Sequence, residues 1–259
     1  MPQPVLTFLR HSLLLKAKMA ECLDEPKPKA VHQLRSSTRR IEATLEFLIA
    51  TADLPSVPKK SKELRRSLRK IRRAAGEVRD IDIHHDLLAA YKTIADAAHM
   101  DKFLNATRKA KAQKLQRRIF EDQRDILRAL DQLEIVLAPV IDVNFSGGCL
   151  AHAAQSWLVT AVRGLSLEPD DDLHSIRKAC KTARYIAEIG SQTSKAAAKL
   201  AARLDGVQQT TGAWHDCLLL LDEAHTILRN DSPLIEKIQT KTRQLRLQAE
   251  SKAGRFLAA

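Results

Sequence analysis

Residues 31–40 read Val-His-Gln-Leu-Arg-Ser-Ser-Thr-Arg-Arg, and residues 173–185 read Leu-His-Ser-Ile-Arg-Lys-Ala-Cys-Lys-Thr-Ala-Arg-Tyr. Both stretches contain the phrase His-x-x-Arg-x-x-x-(Arg/Lys), which begins at His32 and at His174. On an α-helix, where each residue turns about 100°, the two cations of each phrase lie at about 300° and 340° from the His. Each phrase therefore places an imidazole and its cations on one narrow face. Because like charges at these spacings repel one another, we expect an anion to bind there.

The overall charge also indicates a polyanionic partner. The 259 residues include 43 Lys and Arg against 31 Asp and Glu, which gives a formal charge of +12. Nucleic acid, an anionic membrane and a phosphate polymer all fit such a charge. The aromatic content of 4% is low for a protein that stacks bases, and no run approaches the roughly 20 apolar residues of a membrane span. We therefore expect no membrane partner, and nucleic acid only as a weaker ligand.

The cysteines and the amino-terminal residues favour a cytoplasmic location. None of the four cysteines forms a CxxC pair, as is typical of reduced thiols in a cytosolic protein. Basic residues interrupt the apolar stretch near the amino terminus, so a secretory signal peptide is not expected.

Prolines bracket long segments rich in Ala, Leu, Lys, Arg and Glu, which are good helix formers. Glycines lie near the expected helix ends, where they act as breakers and C-caps. These signals predict an all-α protein of about ten helices. The predicted helices are 3–24, 28–51, 59–77, 79–97, 99–138, 147–163, 170–190, 193–212, 214–230 and 232–256.

The duplicated phrase belongs to a longer internal repeat. In each half, the helix that carries the His phrase is followed by another helix, then by a Gly and an Asp. Gly76 and Gly212 are 136 residues apart, and so are Asp80 and Asp216. We predict one domain over residues 1–259, made of two halves at about 1–143 and 144–259.

A basic segment over residues 59–79 contains ten Lys and Arg against two Glu. Helical periodicity places an apolar stripe on this segment beside a stripe of arginines. A solvated basic face is one interpretation of such a run. The preference for Arg favours the other, a phosphate site, because the planar guanidinium makes bidentate contacts with phosphate.

These motifs together resemble the conserved-histidine α-helical domain, or CHAD, family over essentially the whole chain. The family pattern is two helices that begin with His-x-x-Arg-x-x-x-(Arg/Lys), each followed by a helix that ends near a glycine and by an Asp-containing step such as Arg79-Asp80-Ile81-Asp82. The second phrase, which ends at Tyr185, is the closer match. Glu42 stands where the first phrase often has another Arg, and Trp214-His215 replaces smaller residues. The resemblance implies two helical bundles around a basic central channel, polyphosphate binding and association with polyphosphate granules.

Motifs for catalysis are weak. His85-Asp86 and His215-Asp216 are His-Asp pairs without the further ligands that a metal-dependent hydrolase needs. The di-iron bundles use Glu-x-x-His twice, and that motif is absent from the sequence. The sequence also has no Gly-rich phosphate loop. We therefore expect a non-catalytic protein without a metal or cofactor.

The sequence thus predicts a basic groove that binds inorganic polyphosphate, with polyphosphate-metabolising enzymes as further partners. The two histidines are expected to donate hydrogen bonds, more strongly below about pH 6.5. Nearby Asp80, Asp82 and Asp216 are expected to orient arginines or cap helices. The alternatives are a nucleic-acid-binding protein that contacts the phosphate backbone and a scaffold that docks an acidic protein. The predicted polyphosphate-binding residues are His32, Arg35, Arg39, Arg40, Arg65, Arg69, Arg72, Arg73, Arg79, His174, Arg177, Lys178, Lys181 and Arg184.

Overall fold

The computed structural model describes residues 1–51 and 54–258, and within them it contains helices and turns but no strand. The all-α fold is therefore confirmed. Eight α-helices are present in these residues, against about ten predicted, together with short 3-10 helices at Ala89–Tyr91 and Ala138–Val140. The α-helices are α1 (Pro4–Asp24), α2 (Pro28–Ala50), α3 (Pro58–Leu88), α4 (Ala95–Leu137), α5 (Gly147–Ala161), α6 (Asp170–Gly190), α7 (Lys195–Ile227) and α8 (Pro233–Leu257).

Local sequence explains where these helices begin. Proline stands in the first turn of α1, α2, α3 and α8, where its missing N–H costs no hydrogen bond. Helices α5, α7 and α8 begin after a serine whose hydroxyl accepts a backbone N–H of the first turn. Three consecutive aspartates occupy the first turn of α6, where carboxylates stabilise the positive end of the helix dipole.

The predicted helix ends at residues 77 and 212 are wrong. Both α3 and α7 continue through the glycine that the sequence suggested as a breaker, and each replaces two predicted helices. Gly76 and Gly212 are interior helix residues, and an arginine from a neighbouring helix lies beside each of them. Glycine here permits a close approach between side chain and backbone rather than a chain reversal.

The helices pack as antiparallel neighbours in each half of the chain. Helix α1 packs against α2, and α3 against α4; in the second half α5 packs against α6, and α7 against α8. The two halves meet mainly through contacts of α2 with α6 and of α3 with α7, and α4 also contacts α8. The single domain and the repeat boundary near residue 143 stay predictions, and the turn between Val140 and Gly147 lies at that boundary.

The helices that carry His32 and His174 each bury an apolar face. In α2 this face includes Val31, Leu34 and Ile41, and in α6 it includes Leu173 and Ile176. An apolar cluster on one side of the α2–α6 contact includes Leu45 and Ile186. A separate cluster joins the last turns of α3 to α7 and α8. Apolar packing therefore holds the two halves together at both contacts. None of the described helices combines the length and hydropathy needed to cross a bilayer.

Candidate functional site

A cavity of about 550 Å³ lies between the four helices α2, α3, α6 and α7, where the two halves meet. The cationic and imidazole side chains of its wall come from all four helices. They are His32, Arg35, Arg39, Arg79, His174, Arg177, Lys181 and His215. Asp80 and Asp216 are the carboxylates of the lining. The cavity lining is therefore strongly cationic. The two helices that carry the duplicated phrase, α2 and α6, both contribute to it.

The first arginine of each phrase lies beside a glycine of a neighbouring helix. Arg35 lies beside Gly76 of α3, and Arg177 beside Gly212 of α7. The Arg35 guanidinium rests on the backbone at Gly76 and donates a long hydrogen bond of 3.4 Å to the Arg72 carbonyl oxygen. A Cβ at Gly76 would overlap its Nη1 atom. In the second half, a Cβ at Gly212 would lie 3.9 Å from Nε of Arg177, which is ordinary contact.

One carboxylate accompanies each of these arginines. Oδ1 of Asp216 lies 3.9 Å from Nη2 of Arg177, and Asp80 is the carboxylate that most favours the charged form of Arg35. Burial raises the pKa of both carboxyl groups, against the effect of the arginines. These positions agree with the predicted role of the aspartates in orienting arginines.

The second cation of each phrase is crowded by like charges. Burial, together with Arg35 and neighbouring cations, lowers the pKa of Arg39 to about 10, so that it remains charged at neutral pH. Burial and the charges of Arg39, Arg177 and Arg35 lower the pKa of Lys181 to about 7. The free cavity therefore disfavours further positive charge.

Three histidines complete the wall. The rings of His174 and His215 lie at a tilt of 44° to each other with their centroids 4.4 Å apart, and Trp214, which is 1% exposed, anchors His215 to the core. Burial and nearby cations lower the pKa of His174 to about 4 and that of His215 to about 3. Burial and nearby cations also lower the pKa of His32. The free cavity therefore disfavours the protonation on which the expected strengthening of these hydrogen bonds below about pH 6.5 depends.

Seven of the fourteen predicted binding residues line the cavity, and seven do not. Those in the lining are His32, Arg35, Arg39, Arg79, His174, Arg177 and Lys181. Four of the others pair with carboxylates: Arg40 with Glu188, Arg65 with Glu46, Arg72 with Glu42, and Arg184 with Asp205 and Glu188. The remaining three, Arg69, Arg73 and Lys178, are exposed outside it. Carboxylates on α2, α6 and α7 therefore hold several predicted cations away from the cavity.

His215, Gln208 and Gln209 also line the cavity, although the sequence motifs did not indicate them. The repeat offset of 136 residues could have found them, because it relates Arg79 to His215 and the pair Arg72-Arg73 to Gln208-Gln209. Three buried polar atoms of the cavity wall have no hydrogen-bond partner among the described residues, namely Nδ1 of His174, Nε of Arg177 and Oε1 of Gln208. No group of three or more His, Cys, Asp or Glu within the described ranges is placed to hold a metal ion.

Comparison with known proteins finds a matching family model and solved structures with a similar fold. A family model described as the CHAD domain matches residues 12–225. The crystal structure of the CHAD domain from the plant Ricinus communis superposes with a TM-score of 0.64 at 18% identity, over 96% of this chain and 90% of that one. PptA from Streptomyces chartreusis gives a TM-score of 0.60 at 18% identity, over 100% and 99%. At this identity the two structures show a shared fold. No curated protein matches the sequence significantly.

The two interior glycines should respond differently to alanine. Gly212→Ala should raise the free energy of unfolding by about 0.5–1 kcal/mol through helix propensity. Gly76→Ala should gain less, because its methyl group displaces the Arg35 guanidinium. In an Arg35→Ala background, Gly76→Ala should recover the full gain. Urea unfolding of the four single and double variants measures these free energies. Equal effects of Gly76→Ala in both backgrounds would contradict the contact between the Arg35 guanidinium and Gly76.

Lys181 should destabilise the folded protein below neutral pH. Its pKa is about 7 when folded and returns to about 10.5 when unfolded. The destabilisation is therefore full below pH 7 and is lost as the pH rises to about 10.5. Lys181→Met should melt at a higher temperature than the wild type at pH 6, and the difference should shrink by pH 10. A difference that stays constant with pH would disprove the depressed pKa.

Proposed function

Because the chain belongs to the CHAD domain family, we propose that its central cavity binds inorganic polyphosphate and leaves the polymer chemically unchanged. The observation that supports this proposal is that positively charged side chains from both halves of the chain converge on one cavity. Burial lowers the pKa values of Arg35, Arg39 and Lys181 in the free protein, and neighbouring cations lower them further: Arg177 acts on all three, Arg35 on Arg39 and Lys181, and Arg39 on Lys181. A dense polyanion relieves this repulsion, and charge-assisted hydrogen bonds with phosphate oxygens are among the strongest that side chains form.

The polar atoms without partners support the same ligand. Nε of Arg177 is buried and unpartnered within the described part of the chain, and buried polar groups normally have a hydrogen-bond partner. Phosphate oxygens accept hydrogen bonds from any direction and fit such a donor. We propose further that this binding directs the protein to polyphosphate granules in the cytoplasm and to enzymes that make or cleave the polymer.

Nucleic acid fits the cavity less well. A volume of about 550 Å³ does not admit a duplex. Single strands are bound largely by stacking on aromatic rings, and the Tyr185 ring in the wall is already covered by the guanidinium groups of Arg40 and Arg184. The density of charge without bases therefore favours polyphosphate over nucleic acid.

Fluorescence competition among long-chain polyphosphate, single-stranded DNA and duplex DNA, at matched phosphate concentration, tests this selectivity. Polyphosphate should compete best, because it concentrates charge without bases that must be accommodated. Arg35→Ala/Arg39→Ala and Arg177→Ala/Lys181→Ala should each weaken polyphosphate binding by at least about 2 kcal/mol, given about 1.5–3 kcal/mol for a charge-assisted bond. Melting curves check that both variants fold.

The matched control is Lys102→Ala/Lys109→Ala, which removes the same charge from exposed positions on α4. It should change the affinity far less than either cavity variant. Tighter binding of DNA than of polyphosphate would reject the proposed ligand. If the control variant binds polyphosphate as weakly as the cavity variants, the attraction is spread over the whole surface.

Polyphosphate binding should also take up protons at pH 8. Lys181, with a pKa of about 7, is largely neutral there in the free protein, and a bound polyanion raises that pKa again. The charged and titratable groups around Lys181 are Arg35 and Arg39 on α2, Arg177 and Arg184 on α6, and His215 and Asp216 on α7. Affinity should therefore increase as the pH falls from about 9, and further toward pH 4 as the histidines gain protons.

Titration calorimetry at pH 8 in two buffers of different ionisation enthalpy measures this uptake. The control Lys181→Arg keeps the cation but should remove most of the uptake at this pH, because guanidinium stays charged. A binding enthalpy that is the same in both buffers for the wild type would contradict the prediction.

A further inference from the structure

The cavity wall formed by α3 continues outward along the helix as a row of cations. Residues seven apart lie on the same helix face, about 10.5 Å from each other. Arg73 therefore precedes the cavity residue Asp80 on one face, and Arg66 precedes Arg73 by the same interval. Arg69 stands seven residues before Gly76, on which Arg35 rests, and Lys62 stands seven before Arg69. We call these four residues the exit strip: Lys62, Arg66, Arg69 and Arg73.

The exit strip is exposed and free of ion pairs. All four side chains belong to exposed residues. Within the described ranges, no carboxylate forms a salt bridge with any of them. The neighbours Arg65 and Arg72, in contrast, pair with Glu46 and Glu42. The strip extends over about 16 Å of helix from Lys62 to Arg73, at about 1.5 Å for each residue.

The positions of α7 that match the exit strip carry no positive charge. The offset of 136 residues that relates Gly76 to Gly212 places neutral or acidic residues there. These residues are Ala198, Ala202, Asp205 and Gln209. Asp205 is the acidic one, and it already binds Arg184 of α6. The two halves therefore supply similar cations from α2 and α6, but at these matching positions α3 continues the row of cations and α7 does not.

We propose, on the basis of the polyphosphate binding proposed above, that a polymer too long for the cavity leaves it along α3, with its outer phosphates bound by the exit strip. At the matching positions α7 offers the polymer no cation and one carboxylate, that of Asp205. The cavity then has one preferred exit, and affinity increases with polymer length until the exit strip is filled. Each further phosphate contact releases condensed counterions, so this gain depends on salt.

Calorimetric titration with two ligands, tripolyphosphate and long-chain polyphosphate, tests the exit strip. Arg69→Ala/Arg73→Ala should weaken binding of the long chain on the order of fivefold or more, since it removes two phosphate contacts. Its slope of log affinity against log salt should fall by about 1.4, at about 0.7 for each contact with a single-stranded polyanion. Tripolyphosphate, which is short enough to stay within the cavity, should bind this variant within about twofold of the wild type.

Lys195→Ala/Lys199→Ala is the matched control, because it removes two exposed cations from the start of α7. It should leave the affinity and salt slope for both ligands unchanged. An unchanged long-chain affinity in the α3 variant would overturn the exit strip, and so would equal losses in the α3 and α7 variants. If Arg35→Ala/Arg39→Ala leaves the binding of both ligands unchanged, the proposed function itself fails. If that variant weakens both ligands while the α3 variant weakens neither, the function stands and the exit strip is wrong.

Discussion

The feature on which the site depends is the enforced proximity of like charges between α2 and α6. Arg39 and Lys181 reach the same cavity from different helices, and after burial the charge of Arg39 is the largest cause that lowers the pKa of Lys181. The repulsion between these two cations opposes this placement, so other interactions must hold them there. Burial of Leu34, Ile41 and Ile176 on the same helices supplies the opposing free energy, because each such side chain contributes about 1.5–3 kcal/mol on burial. The core thus maintains a cavity that its own charges oppose, as binding sites in general trade stability for function.

The aspartates and glycines of the α3 and α7 walls reduce this cost without neutralising the site. Asp80 and Asp216 each offset part of the charge of one buried arginine. A glycine at residue 76 lets the guanidinium of Arg35 lie against a helix backbone, where the Arg72 carbonyl oxygen accepts a hydrogen bond from it. The arginines are therefore positioned before any ligand arrives, so that less side-chain entropy is lost on binding.

Sequence periodicity predicted the direction of each side chain but could not identify its partner. Helical periodicity placed Arg35 and Arg39 on one narrow face with His32, and both line the cavity. The same reasoning failed for Arg72, because Glu42 on the neighbouring helix pairs with it, and such a pairing depends on the packing of two helices. Glycine was misjudged for a related reason. Local propensity makes Gly76 a helix end, whereas tertiary packing of an arginine against the backbone makes it an interior residue.

The divergence of the two halves gives the cavity two distinguishable walls. The α3 wall carries the guanidinium of Arg79, a cationic group. Its counterpart on α7 is His215, whose ring lies at a tilt beside His174 and whose pKa is lowered to about 3 by burial and nearby cations. At this position the α3 wall therefore offers an anion a cation, whereas the α7 wall offers an imidazole that a bound anion would make easier to protonate. A duplicated fold with equal walls would offer a long polymer two equivalent sides. The replacement of an arginine by a histidine on the α7 wall removes that equivalence.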